Sequence, residues 1–247
     1  MGVELIDIDS QVLGRNVLAI TDLHEEADLA ALEDRYVAES DPFYVYCKVP
    51  IEECADIHRL EQQGFELAEC QLKCSLALRR RFPDVSPAYT FELVTEEDDL
   101  PAILDIARET FTHDRWSCDP AIGPEFAGLR YRQYVLRSFQ AEDEAVYRLC
   151  SAETGETLAF KTHRYLGEAE VLFLLGGVDP RYKGLGLGVA NEYCELNALI
   201  DREVKRGYTH FPTGNYPVIN LELGQLGFRL MQAYAVLRKI YGALPGR

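Results

Sequence analysis

Apolar and polar residues follow two different periods along residues 90–247. Short segments alternate every second residue, which predicts strands, and longer segments repeat every third or fourth residue, which predicts helices. The order is a strand, two helices, three strands, a helix, a strand, a short helix and a strand: Phe91–Val94, Asp98–Thr110, Ala127–Ser138, Ala145–Ala152, Thr157–Tyr165, Glu170–Val178, Leu187 to about Lys205, Tyr208–Pro212, Pro217–Leu226 and Leu230–Tyr241. This succession predicts an α/β domain built around a sheet.

Residues 1–82 carry a shorter pattern of the same kind. Its predicted elements are, in order, the extended segments Val3–Ile8 and Arg15–Ile20, a helix that starts at Thr21 or Asp22, a strand Phe43–Val49, a helix from Pro50 to about Gly64 and a strand Leu72–Leu78. One face of the first helix carries Ala27, Leu29, Leu32 and Tyr36. Residues 83–89 contain two prolines and predict a linker. The prediction is therefore a smaller α/β module, residues 1–82, before a larger domain, residues 90–247.

A glycine-rich turn follows the predicted strand that ends at Val178. The run Val178-Asp179-Pro180-Arg181-Tyr182-Lys183-Gly184-Leu185-Gly186-Leu187-Gly188 joins that strand to a helix. Glycines leave backbone N–H groups uncovered, and the helix N-terminus adds a positive dipole, so the turn predicts a diphosphate site. Arg181 and Lys183 flank it and would add charge-assisted bonds. The spacing fits neither a P-loop nor a dinucleotide fingerprint.

The same run resembles the acyl-CoA loop of the GNAT N-acetyltransferases, in which a basic residue, two residues and Gly-x-Gly follow a Val-x-Pro. The resemblance implies a GNAT fold, with a mixed, mostly antiparallel sheet flanked by helices, and acetyl-CoA as co-substrate without a metal. It places the diphosphate on Lys183 and residues 184–188, namely Gly184, Leu185, Gly186, Leu187 and Gly188. It also implies pantetheine contact by Asn215 and an oxyanion held by the amide of Gly177 or Val178, with a strand-splaying bulge at Gly176-Gly177.

The two modules end alike, which suggests that the first is a partial GNAT-like unit. A leucine, a few helical residues and Gly-Phe precede an alternating strand at Leu60 to Phe65 and again at Leu223 to Phe228. Chance similarity is the alternative. The first module has no glycine-rich loop, so no CoA is expected there.

The segment Phe111-Thr112-His113-Asp114-Arg115-Trp116-Ser117-Cys118-Asp119-Pro120, followed by Tyr131 and Tyr134, resembles the TDP-sugar N-acetyltransferases of the fucosamine acetyltransferase type. The resemblance implies a small-molecule acceptor, the amine of a nucleotide-linked sugar. It places Asp114, Arg115, Trp116 and Asp119 on that acceptor. The alternatives are structural: a salt bridge of Arg115 to Asp114 or Asp119, a buried Trp116, and Asp119 as a turn cap.

The sequence does not decide which residues act as the general acid and the general base. The proton donor typical of the family is a Tyr four residues before the Gly of Gly-Phe, and Leu223 stands there. Tyr216 is a substitute, or no acid is required because a thiolate is a fair leaving group. His113 and His163 are candidate bases, since imidazole titrates near neutral pH, with structural roles as the alternative.

Composition limits the remaining classes. The net charge of −16 argues against nucleic acid as a partner, and no run of 18 apolar residues predicts a membrane span. Seven cysteines without metal-type spacing suggest a reducing compartment, hence a cytoplasmic protein. Leu230–Tyr241 as an edge strand would pair across a homodimer. Two other functions remain: acetylation of another small amine, such as an aminoglycoside, polyamine or amino acid, and CoA binding without catalysis.

Overall fold

The computed structural model describes residues 2–23, 28–85 and 87–242. Within these ranges ten strands form one sheet: β1 Val3–Leu5, β2 Asn16–Ile20, β3 Pro42–Pro50, β4 Glu66–Ala77, β5 Tyr89–Leu93, β6 Glu144–Ser151, β7 Thr157–Tyr165, β8 Glu170–Val178, β9 Arg206–Pro212 and β10 Arg229–Ile240. The α-helices are α1 Asp7–Leu13, α2 Leu29–Ser40, α3 Cys54–Gln62, α4 Leu100–Thr110, α5 Arg115–Cys118, α6 Pro124–Gln140, α7 Leu187–Asp201 and α8 Tyr216–Leu221.

The sheet is mixed and mostly antiparallel, as predicted. Its strand order is β1-β2-β3-β10-β4-β9-β8-β7-β6-β5. Among the described strands, β2 with β3 and β8 with β9 are parallel, and the other neighbours are antiparallel. The succession of strands and helices expected for residues 90–247 is present, with the short α5 added between α4 and α6.

The two halves of the chain exchange their last strands. Strand β10 lies between β3 and β4, and β4 lies between β10 and β9. The β3–β10 register runs from Tyr44↔Ile240 to Pro50↔Tyr234, and the β4–β9 register runs from Gln71↔Pro212 to Ala77↔Arg206. Main-chain hydrogen bonds therefore join residues 1–82 to residues 90–247 across the middle of the sheet.

This position corrects the expectation that Leu230–Tyr241 is an edge strand. Strand β10 has a partner on each side, and the two edges of the sheet are β1 and β5. The main-chain groups of β10 are already used within the chain, so they cannot pair across a dimer. The homodimer stays a prediction without this support.

The first predicted strand ends early. Val3–Ile8 was expected to be extended, but only Val3–Leu5 is strand, and α1 follows. Its acidic first turn suits the helix dipole, and Gly14, at φ 64°, ends it in the left-handed conformation. The side chain of Asp9 is buried and accepts a bond from Arg130 Nε at 2.6 Å.

Two helix starts also differ from the prediction. Helix α2 is capped by Asp28, whose Oδ1 accepts from the N–H groups of Ala30 and Ala31, rather than by Thr21 or Asp22. Ala27 lies outside the described residues. Helix α3 starts at Cys54 because Pro50 still belongs to β3.

Helices cover both sides of the sheet. Helices α2, α3, α7 and α8 pack on one side, named here the α7 face, and α1, α4, α5 and α6 pack on the other, the α4 face. Leu196 and Leu199 of α7 are buried there, while Ile103 of α4 and Val135 of α6 are buried on the other side. No described helix is long and apolar enough to cross a membrane.

Candidate active site

The parallel strands β8 and β9 separate into a fork. They pair only from Glu170↔Arg206 to Leu172↔Tyr208. Beyond that point β8 continues along β7 to Val178, and β9 continues along β4 to Pro212. The edge of β8 that faces β9 is therefore open over its last residues, and an extended ligand can pair there as an added strand.

The bulge on β8 is at Leu174. The register steps from His163↔Phe173 to Thr162↔Leu175, and the Leu175 N–H donates to Thr162 Oγ1 at 3.1 Å. The prediction of a bulge at Gly176-Gly177 is therefore wrong. Sequence reasoning chose the glycines because they tolerate irregular backbone, whereas the Thr162 hydroxyl stabilises the bulge at a leucine.

The hydrogen bond of Asp179, the residue directly after β8, shows which amides of β8 face β7 and which face the fork. The N–H of Asp179 donates to the Leu158 carbonyl at 2.9 Å. Because bonded positions alternate in an antiparallel pair, the amide of Gly177 also faces β7, and that of Val178 faces the fork. A Cβ atom on Gly177 would lie 2.6 Å from the Phe160 ring, so the glycine at 177 is required for packing.

The glycine-rich loop joins the fork to α7. Gly184 and Gly186 have φ values of 86° and 81°, a left-handed conformation that favours glycine. Helix α7 begins after Gly186, and the first amides of a helix have no acceptor within it. A Cβ atom on Gly184, Gly186 or Gly188 would meet nothing within 4 Å. The loop thus presents uncovered donors to open space, which suits a diphosphate.

The two cations beside the loop differ. Arg181 Nη2 pairs with Asp179 Oδ2 at 2.6 Å and with Glu156 Oε1 at 2.9 Å, so this guanidinium already has two carboxylate partners. Lys183 is exposed and forms no ion pair with a described residue. Of the two flanking cations that the sequence predicts, Lys183 is the one available to a ligand. Leu185 is 71% exposed, whereas Leu187 is buried against the sheet.

His163 is buried beneath α7 rather than open to a cleft. Its Nδ1 lies 3.0 Å from Glu195 Oε1, and its Nε2 has no hydrogen-bond partner among the described residues. Its ring centroid lies 5.5 Å from that of Tyr147 and 5.0 Å from that of Tyr165. The imidazole is enclosed by aromatic rings, and it is 1% exposed. These surroundings favour the structural role for His163.

His113, Asn215 and Tyr216 come together at the rim of the fork. His113 is exposed, and its carbonyl oxygen lies 3.5 Å from the Cβ position of Gly214. Asn215 caps α8, with its Oδ1 accepting from the Val218 N–H at 3.5 Å, and Tyr216 is 70% exposed. The loop after α4 and the turn after β9 therefore lie next to each other beside the open end of the fork.

The four residues predicted on the acceptor already hold structural partners. Asp114 caps α5 by accepting from the Trp116 N–H at 2.7 Å, and Trp116 stacks on Tyr44 with centroids 5.1 Å apart. Arg115 pairs with Glu69 of β4 at 2.6 Å, and Asp119 accepts from Arg238 of β10 at 2.8 Å. Glu69 is not the partner that the sequence proposed for Arg115, whereas Asp119 also caps a turn as expected, its Oδ1 accepting from the Ala121 N–H at 2.9 Å. Through these contacts with β3, β4 and β10, residues 111–120 link residues 1–82 to residues 90–247.

Sequence reasoning missed a group of cations on the α4 face. Lys48 of β3, Lys73 of β4 and His210 of β9, named here the basic patch, lie on neighbouring strands with Tyr234 of β10 between them. Lys73 and His210 are directly opposite each other, and Lys48 Nζ lies 4.4 Å from the centre of the Tyr234 ring. None of the three cations has an ion pair among the described residues. The three cations come from distant parts of the chain, so no local sequence pattern indicates that they lie together.

The surroundings of the basic patch disfavour added positive charge. Burial, and then Arg115 and Lys73, lower the pKa of Lys48 to about 8, against the opposing effect of Glu69. Partial burial, and then Lys48 and Lys73, lower the pKa of His210 to about 4. His210 is nevertheless solvent-accessible. A bound anion would relieve this repulsion.

A second missed cluster is buried on the α7 face, under the fork. Lys161 of β7 pairs with Glu192 and lies 3.4 Å from Glu195 Oε2, both on α7. Glu222, which follows α8, completes this acidic cluster of Glu192, Glu195 and Glu222 around Lys161. Within the described ranges no group of three His, Cys, Asp or Glu side chains is placed to hold a metal ion.

The chain resembles one curated protein in sequence, and no family model matches it. The spore coat polysaccharide biosynthesis protein SpsD of Bacillus subtilis (strain 168) is 25% identical over 151 residues, which are 61% of this chain and 50% of SpsD. The chain thus aligns with about half the length of that relative.

Solved structures resemble the whole fold. A tandem GNAT protein from the clavulanic acid biosynthesis pathway covers 92% of this chain and 75% of its own, at a TM-score of 0.61 and 15% identity. A GCN5-related glucosamine N-acetyltransferase region of a fungal multidomain GH3 β-N-acetylglucosaminidase covers 96% of this chain and 30% of its own, at 0.66 and 11%. The chain therefore has the GNAT fold, that of the GCN5-related N-acetyltransferases.

Proposed function

We propose that the chain transfers an acetyl group from acetyl-CoA to an amine. The observation that carries this proposal is the continuous path from the open edge of β8 into the glycine-rich loop. An extended pantetheine pairs with the free edge between Leu174 and Val178, and its diphosphate reaches the uncovered amides of the loop and the start of α7, at Gly184 and residues 186–188, and the ammonium of Lys183. The path ends at backbone N–H groups and an ammonium, which suit the diphosphate of CoA.

The thioester carbonyl then lies against the fork. The amide of Val178 faces the fork, so it is the donor that stabilises the carbonyl oxygen as negative charge develops on it. The amide of Gly177 faces β7 and does not serve this purpose. Asn215 and Tyr216 follow β9 at the rim, where the amine would approach, and Asn215 is the residue proposed to contact the pantetheine.

The proposed acceptor is an amino sugar linked to a nucleotide diphosphate of the TDP type. The basic patch supports this acceptor, because unpaired cations in a chain of net charge −16 suit an anionic ligand. The names of two similar proteins add support: SpsD is a polysaccharide biosynthesis protein, and the fungal region is a glucosamine N-acetyltransferase. Cationic acceptors such as polyamines would be repelled by this patch.

The proposed base is His113. A neutral imidazole accepts the proton that the attacking amine loses, and this ring is exposed at the rim of the fork, unlike the buried His163. Replacing His113 by Gln should lower kcat at neutral pH, whereas His163→Gln should act mainly on stability.

Release of free thiol from acetyl-CoA tests the proposal. The amines compared are a TDP-amino sugar, the same amino sugar without its nucleotide, a polyamine and an amino acid. We expect turnover with the first and a much lower kcat/KM with the second, because the basic patch then has no anion to bind. Turnover with polyamines alone would contradict the sugar nucleotide. CoA binding without thiol release from any amine would support a non-catalytic CoA-binding module.

A further inference from the structure

The end of α8 is wound more loosely than an α-helix. Residues Glu222–Leu226 are π-helical, and the N–H groups of both Gly227 and Phe228 donate to the Glu222 carbonyl. In an α-helix the N–H of Gly227 would instead bond to residue 223. Glu222 therefore stands one turn before Gly227, in the place that counting along the sequence assigns to Leu223. Such π-turns are frequent at functional sites.

The Glu222 side chain is buried but not fully bonded. It is 7% exposed, and its Oε2 has no hydrogen-bond partner among the described residues. The charged and titratable groups that face it are Lys161 from β7, Glu192 and Glu195 from α7, and Cys74 from β4. A buried carboxyl oxygen without a protein partner requires a hydrogen-bond partner from outside the chain, such as water or a ligand.

The acidic cluster borders the fork. Gly176 is exposed on the open edge of β8, and a Cβ atom on it would lie 3.0 Å from Lys161 Nζ. Lys161 in turn pairs with Glu192 and Glu195, the carboxylates next to Glu222. The sulfur of a thioester lying along β8 would thus run past this cluster on the α7 face.

The surroundings of Glu222 favour its neutral form. Burial first, and then the charge of Glu192, raise its pKa well above the usual range, and Lys161 only partly opposes them. One ammonium faces three neighbouring carboxylates, so the charge balance of the cluster also favours a protonated carboxyl. A neutral carboxylic acid can donate a proton, which a carboxylate cannot.

We infer that Glu222 is the catalytic residue that protonates the departing CoA thiolate. The inference rests on the proposed acetyl transfer. The amine nitrogen forms a bond to the thioester carbon, and the carbon–sulfur bond then breaks with its electron pair on sulfur. The sulfur takes the proton of Glu222. The proton that the amine loses passes through His113 to solvent, and solvent returns one proton to the Glu222 carboxylate. The net products are an amide and free CoA thiol.

The test compares Glu222→Gln with Gln225→Ala, an exposed position in the same π-helical segment. We expect Glu222→Gln to lower kcat about 100-fold, within the range of general acid catalysis, with little change in acetyl-CoA affinity. Gln225→Ala should behave like the unmodified protein. The kcat of the unmodified protein should fall at alkaline pH as Glu222 loses its proton, and Glu222→Gln should lack this fall.

The outcomes separate the two proposals. Absence of thiol release by the unmodified protein would overturn both. Full kcat and an unchanged alkaline fall in a folded Glu222→Gln variant would overturn only the role of Glu222. If that variant does not fold, Glu222→Asp retains the carboxyl, and it should keep part of the rate and shift the alkaline fall. A Glu222→Asp profile identical to that of the unmodified protein would contradict the inference.

Discussion

The two faces of the fork differ in charge and in access to solvent. On the α7 face the acidic cluster is buried around Lys161, whereas on the α4 face the basic patch lies open. Burial favours the protonated form of a carboxyl group, whereas an anionic ligand can bind only where solvent has access. The difference suggests a division of work, with proton chemistry proposed on one face of the bound thioester and acceptor recognition on the other.

The largest expected effect concerns the loop that both faces share. Gly186→Val should reduce acetyl-CoA affinity more than about 100-fold, since a β-branched side chain would cover the amides and disfavour the left-handed backbone. Gly155 is a matched control: it has a φ of 73° and open space around it in the β6–β7 turn. Calorimetry should show that Gly155→Val binds acetyl-CoA normally, and equal losses would contradict the placement of the diphosphate.

Arg115 has a buried carboxylate partner, unlike the cations of the basic patch, and it should therefore act on stability. Arg115→Ala leaves Glu69 buried without its counter-ion, which typically costs about 3–5 kcal/mol. Denaturant unfolding measures the loss. The double variant Arg115→Met with Glu69→Leu should recover much of it. Full stability of Arg115→Ala, with a raised acceptor KM, would instead support the substrate role that the sequence predicts.

Lys48 should show the opposite behaviour. Lys48→Gln should raise the KM of an anionic acceptor about tenfold, the value of one charge-assisted bond, and leave the KM of acetyl-CoA unchanged. It should also raise the free energy of unfolding by roughly 1 kcal/mol, as removal of a repelled functional charge often does. Lys205→Gln, an exposed lysine far from the patch, is the control. A Lys48→Gln protein that is less stable and binds acceptor normally would remove the basic patch from the site.

The smallest effect should be the pH dependence of stability due to His210. Its pKa is lowered from 6.5 to about 4, so between these values the unfolded chain binds a proton that the folded protein does not. The free energy of unfolding should therefore rise with pH across this window, and His210→Asn should lack that contribution. Because the side chain is accessible to solvent, salt should weaken the effect. A variant that instead steepens the rise would contradict the assigned repulsion.

Local features of the site could be predicted from the sequence. The strand, the glycine-rich turn and the helix after it are continuous in the chain, so their order and the two left-handed glycines follow from Val178 to Gly188 alone. The order of strands and helices in residues 90–247 followed from their hydrophobic pattern. Both depend on interactions between near neighbours, whereas the mixed sheet was expected only from the resemblance to the GNAT N-acetyltransferases.

Features that depend on distant strands could not be predicted. Arg115 of α5 meets Glu69 of β4, which lies 46 residues earlier, and Lys73 meets His210 only because β4 and β9 pair. Nothing near these residues in the sequence indicates either contact. The position of Glu222 was missed for another reason, because counting four residues back from Gly227 assumes a regular α-helix. One extra residue in the π-helical turn moves the carboxyl to the place assigned to Leu223.

The exchange of β4 and β10 has a consequence for how the chain is made. Tyr44 on β3 pairs with Ile240 on β10, so all residues between them must leave the ribosome before the centre of the sheet can form. Contacts of such high sequence separation slow folding, and until they form β3 and β4 present unsatisfied edges to other chains. Truncation of the chain before Arg229, which removes β10, should therefore yield aggregates rather than two independently folding halves.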